Sequence, residues 1–208
     1  MSAESSSTDL QGPVGNTYDK YGTRNPLARF VVHRFLRAAE AAVRDAGGAR
    51  ILDVGCGEGL LTEQIARLEP GAKVVGLDVG DPGLQAEWKR RGGRNLSFCE
   101  GSAYSLPFED RAFDLVCGFE MLEHLERPVE GLSELARVSS RHVVLSVPRE
   151  PLWRILNLLS LRYIGDLGNT PGHVNHWSRN GFVSFAQTAG EVTRVRTPLP
   201  WTLVTVRR

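Results

Sequence analysis

The chain is predicted to be an α/β protein: a doubly wound, seven-stranded sheet, mostly parallel with an antiparallel C-terminal strand, and helices on both faces. Three observations point there. From Arg50 onward, short runs of β-branched and aliphatic residues alternate with helical segments, the texture of parallel strands joined by crossover helices. Those runs are apolar on both sides, as strands covered on both faces require. A glycine-rich turn joins the first run directly to a helix.

The elements follow in order. Residues 1–16 are Ser-rich with few large apolar side chains, and a disordered tail is expected there. Residues 17–208 form one domain, subdivided at 17–48, 49–148 and 149–208. Pro26 suits the first turn of a helix. Leu27, Phe30, Val31, Phe35 and Leu36 recur at helical spacing until Gly47-Gly48. Strands are expected at "RILDVG", "KVVGLDV", "NLSFCEG", "FDLVCGF" and "RHVVLSVP". Helices are expected at "GLLTEQIARLEPG", "PGLQAEWKRRGG" and "VEGLSELARVS". After Pro148 comes an apolar helix, "EPLWRILNLLSLRY", with a narrow polar stripe. It is read as buried, with one face able to line a pocket. A turn-rich stretch, "TPGHVNHWS", precedes a helix that Ser178 can cap. Two strands joined by "PLP" close the chain as an antiparallel pair.

Composition excludes some functions. The 208 residues are 41% hydrophobic with a formal net charge of +1, so no broad field draws the chain to nucleic acid or membrane. "WKRRGGR" is a local basic cluster without a stacking platform, read as a solvated helix end. The polar N-terminus and the short apolar runs predict neither a leader nor stable membrane insertion. Cys56, Cys99 and Cys117 match no zinc pattern; reduced thiols in a cytoplasmic setting are expected. Oligomeric state is not legible.

The chemistry concentrates in "ILDVGCGEGLLT". A strand runs into Gly55, Gly57 and Gly59, and a helix begins at once. Such a junction lets backbone approach a ligand, and the helix N-terminus favours polar groups. The spacing is G-x-G-x-G, with Leu60 where a dinucleotide fingerprint needs its last glycine. Asp53 precedes the turn, and Asp78 ends the next strand, where a carboxylate can accept both hydroxyls of a ribose.

Together with "EGSAYSLPFEDRAFDLV", these stretches resemble the class I S-adenosylmethionine-dependent methyltransferases, especially the small-molecule, ubiquinone-biosynthesis type. The resemblance implies a Rossmann-like sheet and S-adenosyl-L-methionine as cofactor. It implies that Asp53, Gly55, Cys56, Gly57 and Gly59 bound the methionine part. Asp78, with Val79, would hold the ribose, Ser102 and Ala103 would lie by the adenine, and Phe119 and Glu120 would flank the sulfonium. Ser102 departs from the Asp common in the family. Residues 17–48 become a lid and helix, with Tyr18, Tyr21 and Arg24 reaching the cofactor. Residues 49–148 become the cofactor-binding core, and 149–208 the acceptor side. The expected reaction is methyl transfer to a small, hydrophobic or aromatic acceptor, on oxygen first, with carbon or nitrogen open. Alternatives are a non-catalytic cofactor-binding module and an NAD-dependent enzyme.

Three histidines are candidate catalytic groups, since imidazole titrates near neutrality. His124 is either a general base or a histidine packed at the sheet edge. Glu123 either orients it or caps local structure. His173 and His176 form pocket wall or merely pin their loop. No metal is expected, because His-x-x-His has no Cys or carboxylate beside it, Asp166 being the nearest acid. Trp177 is expected to anchor the loop.

Overall fold

The computed structural model describes residues 26–161 and 163–208. The expected tail and Tyr18, Tyr21 and Arg24 lie outside these residues. Helix α1 spans Pro26–Ala46, followed by β1 (Arg50–Val54), α2 (Leu60–Leu68), β2 (Lys73–Asp78), α3 (Pro82–Arg91) and β3 (Leu96–Glu100). Then come β4 (Phe113–Phe119), α4 (Pro128–Val138), β5 (Ser139–Pro148), α5 (Leu152–Leu159), α6 (Arg179–Ala186), β6 (Glu191–Arg196) and β7 (Trp201–Arg207).

The seven strands lie in the order β3-β2-β1-β4-β5-β7-β6. All pairings through β5 are parallel; β7 runs antiparallel to both β5 and β6. This is the expected Rossmann-like, doubly wound sheet. The strand order reverses between β1 and β4, so the crevice beyond their carboxyl ends is where a ligand should bind.

Alternation along each strand builds two cores. Leu52, Val54, Val116, Val143, Leu145 and Val147 meet α4 and α6 through Leu132, Leu135 and Phe182. Ile51, Leu115, Cys117 and Val144 meet α1 and α2 through Phe35, Ala39, Val43 and Ile65 on the other face. Successive strand side chains point to opposite faces, so uninterrupted apolar runs are what a sheet covered twice needs. In α1, Phe35 is buried but Phe30 is 60% exposed.

Two expectations need correction. Helix α5 is shorter than predicted, and none of its residues is buried. Leu159 is 76% exposed, and Leu161 and Leu167 beyond it are also largely exposed. The helix rests on the domain through Trp153, whose ring meets Trp201 at 5.5 Å. Apolar composition marked a buried helix, but the helix lies over the sheet edge, where only its first turn meets the core. The basic cluster is also not simply solvated: Arg91 is only 16% exposed and is built into the glycine turn. No helix among the described residues is long and apolar enough to cross a membrane.

Candidate functional site

The floor of the switch-point crevice is the turn between β1 and α2. Gly55, Gly57 and Gly59 have φ of 73°, 54° and 79°, the left-handed region open to glycine. A Cβ on Gly55 would lie 2.7 Å from Met121 Cβ, and one on Gly59 2.6 Å from the Phe98 ring. Around Gly57 nothing lies within 4 Å of that position. Two glycines therefore let the turn pack, and the middle one leaves its outer surface bare, a cradle for a ligand.

Two carboxylates sit behind and beside this turn. Asp78 Oδ2 accepts from the Gly57 N–H at 2.6 Å, and Oδ1 accepts from the Val79 N–H at 2.7 Å. Each carboxylate oxygen has a second lone pair left for a hydroxyl. Burial raises the Asp78 carboxyl above its usual range, against the pull of those two amides. Asp53 is 2% exposed and accepts from Thr62 Oγ1 at 2.7 Å. Burial pushes its pKa up to about 7, the Thr62 hydrogen bond opposing and the Asp78 charge adding. A cation brought beside it would favour the ionised form. Burial, then the Asp53 and Asp78 charges, drive the Cys56 thiol well up, so it is inert packing.

Along the same sheet edge, Ser102 Oγ accepts from the Tyr104 N–H at 3.2 Å, with Ala103 packed against the core. Phe119 is buried and meets Phe35 edge-on, ring centroids 6.3 Å apart. Glu120 follows at φ 55°, a costly conformation for a non-glycine residue and often a mark of function. Its carboxylate accepts from Trp201 Nε1 at 2.5 Å and Ser146 Oγ at 3.3 Å.

The histidines come together through a clasp. After β4 the chain makes a short 3-10 turn, Leu122–His124. The Glu123 carbonyl accepts from the Val174 and Asn175 N–H groups at 2.9 and 3.1 Å. Asn175 Nδ2 donates to the Leu122 and Leu125 carbonyls at 3.1 and 2.5 Å. The His loop is thereby fastened to the turn, and the His124 and His173 rings lie 4.9 Å apart, edge to face. His124 Nδ1 sits 3.0 Å from the Gly172 carbonyl. Donation there puts the ring's lone pair on Nε2, the nitrogen able to take a proton or hold a cation. His173 is 8% exposed and lies along Trp153. Trp153 Nε1 in turn donates to Thr170 Oγ1 at 2.9 Å.

Glu123, 1% exposed, completes the group: donor atoms of Glu123, His124 and His173 all lie within 4.8 Å of one another. Two imidazoles and a carboxylate at that separation could relay a proton or seat a divalent cation. His176 is not in the group. Its Nδ1 lies 3.8 Å from Glu150, and burial, then Arg154, lower its pKa. It is therefore neutral near pH 7 and makes no full ion pair. Trp177 anchors the loop against Phe182 and Phe185, and Ser178 caps α6 by accepting from the Gly181 N–H, as expected. Sequence reasoning missed the roles of Asn175, Trp153 and Trp201. Only the Asn between the two histidines offered a local signal.

A methyltransferase domain profile matches residues 52–146. The ubiquinone biosynthesis O-methyltransferase of Nitrosospira multiformis is 31% identical over 149 residues, covering 69% of this chain and 58% of that protein. The demethylmenaquinone methyltransferase of Thermobifida fusca is 30% identical over 158 residues, covering 71% and 66%. The chain spans about half the length of the curated relatives it matches. Magnesium protoporphyrin IX methyltransferase from Synechocystis, solved with bound S-adenosylhomocysteine, shares the fold at a TM-score of 0.64 and 23% identity, over 90% of this chain and 89% of that one. Glycine turn, strand-end acid, sheet order and sequence relatives agree: the chain belongs to the class I S-adenosylmethionine-dependent methyltransferase family.

Proposed function

We propose that this protein transfers a methyl group from S-adenosylmethionine to an oxygen of a small, hydrophobic or aromatic acceptor. One observation carries the reading. The His124–His173 pair and the bare glycine cradle occupy the carboxyl edge of one sheet, β1 feeding the cradle, β4 leading to His124 and the loop after α5 bringing His173 to it. The residues present fit the cofactor: an open surface at Gly57, a carboxylate at Asp78 for ribose hydroxyls, and Asp53 for the ammonium. When bound, that cofactor supplies an electrophilic methyl group on a sulfonium.

The chain's own work is then alignment and proton removal. Glu120, Trp201, Trp153 and His173 touch one another in turn, an aromatic and acidic run against which a planar acceptor would lie. Holding nucleophile and methyl carbon in line can contribute on the order of 7–11 kcal/mol. His124 Nε2 or His173 takes the acceptor's hydroxyl proton. Buried Glu123 beside the rings stabilises the imidazolium that results. O-methylation is favoured because a hydroxyl nucleophile needs a base to take its proton, and the paired histidines supply one. The same three side chains support a second reading, a divalent cation that acidifies the acceptor hydroxyl directly.

The test is a methyl-labelled donor with a panel of catechols, phenols, quinols and fatty acids, read by mass spectrometry. Label on acceptor oxygen is the expected result. Binding of S-adenosylhomocysteine with no turnover on any acceptor would favour a cofactor-binding module instead. Tight NAD binding without S-adenosylhomocysteine binding would overturn the reading.

A further inference from the structure

The basic segment at the end of α3 has no part in the chemistry above, yet it is built into the glycine turn. Trp88 is 7% exposed, and its Nε1 donates to the Gly57 carbonyl at 2.8 Å. Arg91 Nε donates to the Glu58 carbonyl at 2.9 Å. The Arg91 guanidinium is itself held by Glu63 at 2.9 Å and Glu87 at 3.0 Å. The indole lies flat against Phe98, centroids 5.6 Å apart and planes within 5°. That Phe98 ring is the group a Gly59 Cβ would strike. Two successive carbonyls of the turn are thus drawn toward one helix face, while the Gly57 N–H is held from the other side by Asp78.

A trans peptide sets its C=O and the following N–H in opposite directions. Fixing the Gly57 carbonyl on Trp88 turns the Glu58 N–H away from α3. It also fixes the peptide whose neighbouring amide holds the Asp78 carboxylate in place. Other bonds hold the ends of the turn, the Gly55 and Cys56 N–H groups on the Leu77 carbonyl and the Gly59 N–H on the Cys56 carbonyl. The Gly57–Glu58 peptide between them depends on these two donors, Trp88 and Arg91, for its orientation, since glycine offers no side chain to resist rotation. We propose that Trp88, seconded by Arg91, is a positioning residue for the cofactor site, setting the Gly57–Glu58 peptide and the Asp78 carboxylate before the ligand arrives. This rests on the S-adenosylmethionine reading of the turn.

Trp88→Phe tests it, keeping an aromatic ring on Phe98 and removing the N–H. Calorimetry of S-adenosylhomocysteine should show affinity about three- to tenfold weaker, the size of one lost hydrogen bond. The KM for the methyl donor should rise by a similar factor, while kcat at saturation and the acceptor KM stay within about twofold, since the bound state is still reached. A variant that was merely misfolded would lower kcat with it. Arg91→Gln, which loses the bond to Glu58 by a separate route, should shift donor affinity in the same direction. It keeps the test decisive if Trp88→Phe does not fold. Unchanged S-adenosylhomocysteine affinity in the folded variants overturns the proposal. Absence of binding by the unsubstituted protein overturns the cofactor reading beneath it.

Discussion

Replacing Asp53 with Asn should make the protein more stable and worse at binding its cofactor. Asp53 lies between Gly76 of β2 and Cys117 of β4 and is 2% exposed. Burial raises its pKa from 3.8 to about 7. Between those values the folded protein keeps a proton that the unfolded chain has released, so stability from this group falls as pH rises through the window. A rise from 3.8 to about 7 corresponds to a ceiling of roughly 4 kcal/mol, at ~1.4 kcal/mol per tenfold in proton affinity. Asn cannot ionise, and its Oδ1 can still accept from Thr62. Urea denaturation should therefore find the two proteins alike near pH 4 and diverging above it, with Asn ahead by about 2–4 kcal/mol at pH 8. Calorimetry should show the opposite order for S-adenosylhomocysteine. Affinity of the unsubstituted protein should climb through pH 7 as Asp53 ionises against the ligand's ammonium. The variant should lose that slope and bind about tenfold or more weakly at pH 8. A variant no more stable at pH 8 than at pH 5, relative to the parent, would refute the reasoning, as would a preserved binding slope.

Other outcomes follow from the same geometry. His124→Ala and His173→Ala should each lower turnover by about 10²–10⁴, the span of a general base, with S-adenosylhomocysteine affinity nearly intact. Equal loss of both would show a structural loop instead. His176→Ala should cost far less turnover, because its ring faces Glu150 and not the paired rings. Asn175→Ala removes the side-chain half of the clasp and should destabilise the protein by about 1–2 kcal/mol, since the part-buried Leu125 carbonyl loses its side-chain donor while the Leu122 carbonyl keeps the Leu125 N–H. The backbone bonds to Glu123 would hold, so turnover should fall more than donor affinity. Titration with Co²⁺ separates the two acid–base readings: a tetrahedral visible spectrum lost in His173→Ala, with turnover abolished by chelation, would replace the free base with a cation. Unchanged turnover after chelation would exclude that.

Much of the fold was legible because it rests on local rules. Uninterrupted apolar runs such as "ILDV" and "DLVCGF" mark strands buried on both faces, and Gly47-Gly48 and Pro70-Gly71 end helices where they stand in sequence. The glycine turn was legible for the same reason, since three left-handed residues so close together in a tight turn are written as glycine. Helix α5 misled because apolar composition reports what a segment could bury, not whether a surface faces it. "WKRRGGR" misled in the opposite sense: charge suggested solvent, but Trp88 and Arg91 turn inward to backbone carbonyls, which have no signature in side-chain chemistry.

By itself the sequence determined the sheet, its two covered faces, the cradle between β1 and α2 and the acids at the strand ends. Each depends on side-chain period or turn chemistry within a dozen or so neighbouring residues. Only the tertiary structure decided which histidines work together. His173 lies closer in the chain to His176, yet it meets His124, because Asn175 and the Glu123 carbonyl fasten one loop to another. It also decided that Asp53 titrates near neutrality, since that follows from burial between β2 and β4 and not from the residue's own chemistry. Contacts across strands are set by register and crossover, and a linear pattern carries no record of which distant residue a strand end will face.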